Sequence, residues 1–139
     1  DMVVIPPFQN TDVKSVFDSY PIPIREKLLL LRSLIFETAQ SLEMDCPLEE
    51  TLKRGEPSYI PPKKMGSMVR LHHYANKPFD FALYFMCKST LVSSFRLKFG
   101  TTFQIGGNRS LEFMLSDHLP LPELKDCITM AMTYNLPKP

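Results

Sequence analysis

The side-chain rhythm of this chain changes at Pro47, and that change limits the folds open to it. Before it, residues suited to one helix face recur every three or four positions (Ile24, Leu28, Leu31, Ile35, Thr38 or Ala39, and Leu42), as an amphipathic helix requires. Leu29, Leu30, Leu34 and Phe36 widen that face, so the helix is expected to be covered on more than one side. After Pro47 the period falls to two, with Leu48, Glu50 and Leu52 on one side of a strand and Glu49, Thr51 and Lys53 on the other. Helices followed by a run of strands favour an α+β domain over an alternating, parallel-sheet fold.

The other elements are read from the same signals. Residues 1–10, with Pro6 and Pro7, read as an extended arm. Asn10 or Thr11 suits the cap of a short helix through Val13, Val16, Phe17 and Tyr20, which Pro21 ends. Pro23 fits the first turn of the long helix, where a missing N–H costs nothing. Gly55-Glu56-Pro57-Ser58-Tyr59 reads as a corner opening a 55–65 loop, because Gly55 permits unusual angles and Pro57 fixes its own φ. Strands are expected at 67–74 and 79–87, the second apolar on both faces and therefore central. Segment 89–99, closed by Gly100, favours a short helix but leaves a strand open. Segments 102–105 and 111–115 flank Gly106-Gly107-Asn108-Arg109, a hairpin signal. A last helix follows Pro120 and Pro122, with Leu121, Leu124, Ile128, Ala131 and Tyr134 on one face and Ser116 or Asp117 as caps on its approach. The expectation is one α+β domain over 1–139 (arm 1–10, body 11–136). Its antiparallel sheet has about five strands, a usual number, packed with helices from both ends of the chain.

Composition narrows the function classes. At 139 residues, 44% hydrophobic and 22% charged, the chain matches one globular domain. Its net charge of +1 gives no electrostatic reason to capture nucleic acid or anionic lipid. No apolar run approaches the roughly 20 residues of a membrane-spanning helix, so no membrane partner is expected. Cys46, Cys87 and Cys127 are far apart and odd in number, which suits reduced thiols in a cytoplasmic protein.

Glu49 and Glu50 are adjacent, point to opposite faces and make no paired acid–base site. Glu50 shares a side with Leu48 and Leu52, so its carboxylate is expected to be buried with an Arg or Tyr partner, or else to touch ligand. Arg70 and His72 alternate onto one strand face with Tyr74. With Lys53 and Tyr59 nearby they are candidates for a shallow site, Arg70 offering a bidentate fork to a small anionic molecule. The candidate ligand residues are thus Glu50, Lys53, Tyr59, Arg70 and His72, with a protein partner as the other occupant. No metal-ligand spacing, nucleophile–base pair or phosphate loop is present, so a non-enzymatic domain is expected.

Several segments together resemble the YdhG-like domain-of-unknown-function family. They are Phe17-x-x-Tyr20-Pro21, Arg25, Leu31-Arg32-x-Leu34-Ile35, Glu49-Glu50-x-Leu52-x-x-Gly55-x-Pro57-x-Tyr59, Leu83-x-Phe85 and Leu111-x-Phe113. The resemblance covers roughly residues 12–134. It departs at Arg54, where the family usually has an aromatic residue, and at Arg70, His72 and His73, which echo a Lys-x-His-like stretch only loosely. The resemblance implies a frataxin-like architecture and, from one branch of the family, an intracellular iron-chaperone role as the alternative function. An enzyme of unknown reaction is a third class.

Overall fold

The computed structural model describes residues 5–44 and 46–137; positions 1–4 of the expected arm lie outside it. Asn10 caps helix α1 (Thr11–Ser19), its Oδ1 accepting from the N–H groups of Asp12 at 2.9 Å and Val13 at 3.2 Å. Pro21 interrupts the chain and Pro23 lies in the first turn of α2 (Ile22–Ser41), which Leu42 ends as its cap. Six strands follow, interrupted by one helix. They are β1 (Glu49–Lys53), β2 (Glu56–Ile60), β3 (Val69–His72), β4 (Phe81–Tyr84), then α3 (Leu91–Phe99), β5 (Gln104–Gly106) and β6 (Ser110–Phe113). Helix α4 (Leu121–Met132) closes the fold.

The sheet is antiparallel throughout, in the order β1-β2-β3-β4-β6-β5. The domain is α+β, with helices drawn from both ends of the chain. Strand β4 is central and buried on both faces, as its unbroken apolar sequence requires. Tyr59, Val69, Leu71, Leu83 and Leu111 point to one face and form the core with Leu28, Leu31 and Ile35 of α2 and Leu124, Ile128 and Ala131 of α4. The opposite face carries Lys53, Glu56, Ser58, Arg70, His72, Tyr84, Ser110 and Glu112. No helix among the described residues is long and apolar enough to cross a membrane.

Three local expectations change. The sheet has six strands rather than about five, because Glu56–Ile60 is a strand and not a corner leading into a loop. Arg54 and Gly55, at φ 54° and 78°, make a two-residue turn that folds β2 back onto β1. Positive φ at both central positions matches the right-handed twist of the flanking strands. Pro57 is tolerated because the β2–β3 ladder engages only Ser58 and Tyr59, leaving Pro57 beyond its end. The second change is at α4: Asp117 does not cap it but accepts from the N–H of Met114 at 2.8 Å, and α4 begins after Pro120. Third, Tyr134 lies past the end of that helix.

The 62–67 segment is pinned to the end of α4. Ser67 N–H donates to Ala131 O at 2.8 Å and Asn135 N–H to Met65 O at 3.0 Å. Gly66 makes the approach feasible: a β-carbon there would lie 2.1 Å from the Met132 carbonyl oxygen.

Candidate functional site

The cross-strand register places Ser58, Arg70, Tyr84 and Ser110 in one row across the face opposite the α2–α4 core. Glu56, two residues before Ser58, is on the same face and only 4% exposed. Burying a carboxylate there needs compensation. Tyr74 Oη donates to its Oε2 in a short hydrogen bond, and Arg70 Nη1 stands 3.3 Å from its Oε1. Yet Oε1 accepts no hydrogen bond from the described residues. The two facts are compatible, since an ion pair balances charge without filling a lone pair.

A cleft of about 530 Å³ opens beside this carboxylate. The 74–79 segment forms one wall and the 106–109 turn the other, with Tyr84, Ser110 and Glu112 on the floor. Arg109 extends over the Tyr84 ring, 5.7 Å from guanidinium carbon to ring centre. Glu112 Oε2 accepts from Ser110 Oγ at 2.8 Å. That carboxylate packs where Gly106 has no side chain, and a β-carbon at Gly106 would come within 1.8 Å of it. Burial pushes the hydroxyls of Tyr74 and Tyr84 up to about 12, and the Glu56 charge adds to the effect on both. At neutral pH both phenols therefore stay protonated and able to donate.

Of the candidates read from sequence, Arg70, His72 and Lys53 share this face. Arg70 holds Glu56. His72 is half-buried, its Nδ1 2.7 Å from Tyr20 Oη and its ring 4.7 Å from that of Tyr74. Burial lowers its pKa, with Glu56 opposing and His73 reinforcing the shift. Lys53 is exposed at the β1–β2 turn, opposite Glu56.

Tyr59 and Glu50 belong elsewhere, which corrects their grouping with Arg70 and Lys53. Both face the helices. Tyr59 is fully buried and donates to Glu50 Oε2 at 2.7 Å. Arg32 of α2 grips the same carboxylate with Nε to Oε2 at 2.6 Å and Nη2 to Oε1 at 3.0 Å. The guanidinium carbon of Arg32 lies 4.0 Å from the Phe8 ring centre and 4.8 Å from that of Phe36. This network joins α2 to the sheet.

The chain matches no family model, no curated protein and no solved structure. Its site is therefore read from geometry alone.

Among the described residues, no group of three or more His, Cys, Asp or Glu side chains is placed to hold a metal ion. Cys127 is buried, and desolvation raises its thiol to about 12, so it sits in the core as an unreactive thiol. The sequence reading put Tyr74 on the site face with Arg70 and His72 but missed Glu56, Tyr84, Arg109 and Glu112 as its companions. The period-two alternation of β4 and β6 placed Tyr84 and Glu112 on a common face in principle. Joining them to Glu56 required β2 to be recognised as a strand.

A second cleft, of about 620 Å³, lies between the end of α2, the 46–48 segment and Pro6, Pro7 and Gln9. Its walls are mainly apolar (Phe36, Ala39, Met44 and Leu48), and its one buried polar group, Glu50, already has both oxygens engaged.

Proposed function

We propose that this chain is a non-enzymatic, small-ligand-binding domain whose site is the cleft on the sheet face opposite the α2–α4 core. One observation carries the reading. A buried carboxylate, Glu56, borders a cleft of about 530 Å³, and its Oε1, occluded from solvent and ion-paired with Arg70, accepts no hydrogen bond from the described residues, although buried polar atoms are otherwise almost always satisfied. Tyr74, Tyr84, Ser110, Lys77 and Arg109 supply further polar groups around it. A concave site with a few convergent polar groups is the usual form of a small-molecule site. Membership of the YdhG-like family is a proposal that rests on the sequence resemblance alone and extends this reading no further. Three free cysteines, two of them exposed, favour a reducing compartment such as the cytoplasm.

A thermal-shift screen against polar metabolites tests the proposal, because a ligand that binds only the folded state raises the melting temperature. At least one compound should raise it, and Lys77→Trp, which fills the cleft from an exposed position, should remove the shift. A shift that survives Lys77→Trp places binding elsewhere and sinks the cleft. The alternative, a frataxin-like iron chaperone, requires saturable heat on anaerobic Fe²⁺ titration. Turnover of the bound compound would move the domain to the enzyme class.

A further inference from the structure

We propose that His72 is a proton-operated latch for helix α1: the neutral ring holds Tyr20, at the end of α1, against the sheet, and protonation in mild acid loosens the helix. The inference is independent of what occupies the cleft.

Helix α1 packs against β1 and β2, with Val13 and Phe17 buried. Tyr20, the residue that ends it, is only 4% exposed and reaches across to β3. Its Oη lies 2.7 Å from Nδ1 of His72, with the two ring centres 5.4 Å apart and edge-on. The phenol has one proton to give, and His72 is its hydrogen-bond partner among the described residues. Both groups are satisfied only when the ring is neutral with its proton on Nε2, so that Nδ1 accepts. A protonated ring carries a hydrogen on each nitrogen. Two donors then face each other across one short contact, and a buried hydroxyl loses its acceptor.

The surroundings do not rescue the charged ring. Glu56 of β2 attracts the proton, but Tyr74 and Arg70 already hold that carboxylate. Arg70, two positions back on the same strand face, is itself a cation, and His73 works against a charge on its neighbour. Tyr74, its ring 4.7 Å away, stays a neutral phenol at this pH, and Ala82 stands opposite on β4. On the helices, Asp18 and Lys14 pair with each other at the surface, while Arg25 of α2 donates to Asp18 O and Tyr20 O. Burial is the largest influence and lowers the His72 pKa from 6.5. A lowered value means that the latched state binds fewer protons than the released one. Attachment is therefore complete above about pH 6.5 and weakens as pH falls through the folded-state value. The other histidines are built differently. His73 Nδ1 lies 2.6 Å from the Asp80 carbonyl oxygen, so it donates, and protonation leaves that bond intact. His118 is exposed.

The test follows amide hydrogen exchange in the whole chain between about pH 7.5 and about pH 5, above the ordinary carboxylate range, with rates corrected for intrinsic exchange. Protection at residues 16–20 should fall by up to about tenfold per pH unit, the limit for one proton taken up, while β4 keeps its protection. His72→Asn offers a side-chain oxygen in place of Nδ1 but takes up no proton, so α1 protection should become independent of pH. Tyr20→Phe removes the hydroxyl that favours the neutral ring, so the midpoint of the His72 ring resonances should rise, which loss of packing alone does not produce. If His72→Asn does not fold, that midpoint decides. Constant α1 protection across the range overturns the latch, as does a fall that persists in His72→Asn. Loss shared equally by β4 means global unfolding and overturns it too, and so does an unmoved His72 midpoint in Tyr20→Phe.

Discussion

Arg32 carries a full charge into the core because Glu50 and Tyr59 meet it there. The Arg32 and Glu50 side chains are only 5% and 8% exposed. Burial works against the charge, but hydrogen bonds and Coulombic attraction from Glu50 override it and hold the guanidinium above its ordinary pKa. Removing one partner strands the other, which is far costlier than removing both. Arg32→Ala is therefore expected to lower the unfolding free energy by about 3–5 kcal/mol in urea titration. The triple replacement Arg32→Met, Glu50→Leu, Tyr59→Phe should cost much less than the single one. Equal losses would show that packing against Phe8 and Phe36, and not charge pairing, carries the stability. At this scale the sequence was partly legible. A carboxylate flanked by Leu48 and Leu52 on one strand face called for a buried partner. That the partner would come from α2, eighteen positions earlier, depends on how helix and sheet cross.

Among the elements, the β1–β2 hairpin and the Gly66 contact show where local signals are overridden. Gly55 and Pro57 argue against a strand when read singly. The strand forms because Tyr59 buries fully against α2, its ring 5.7 Å from Phe36, and because β3 needs no N–H from Pro57. Tertiary burial outweighs the weak local preference. Gly66 gives the clearest test of element packing. Gly66→Ala puts a methyl group 2.1 Å from backbone oxygen, which no side-chain rotation relieves. The 62–67 segment must then withdraw from α4 and give up the Ser67–Ala131 hydrogen bond. A loss of about 1–3 kcal/mol is expected in chemical denaturation, with faster amide exchange at Ser67 and Asn135. Unchanged stability and exchange would mean that the segment is not clamped to the helix. The helices themselves were readable, since Asn10, Pro23 and Gly100 act locally at their ends.

For the whole molecule, buried phenols tie folding to pH. Tyr74 and Tyr84 ionise in the fold near 12 rather than at the ordinary 10.0, and burial holds Tyr20 and Tyr59 above their ordinary value too. A raised pKa means that the folded state keeps protons which the unfolded chain gives up. Their contribution to stability is therefore complete below pH 10 and lost as pH rises from 10 toward 12. Tyrosinate absorbance is expected to appear above pH 10 together with loss of far-ultraviolet dichroism. Phenols that titrate near 10 in a chain still folded would contradict the burial of this set. Sequence by itself determined what nearest neighbours decide: helix starts and stops, strand periodicity, the 106–109 turn and the α+β order. Tertiary structure alone decided which residues share a face, because a strand's two faces are interchangeable until a helix covers one of them. Covering the Tyr59–Val69–Leu83 face sent Glu50 inward to Arg32 and left Glu56, Tyr84 and Glu112 to line the cleft on the other.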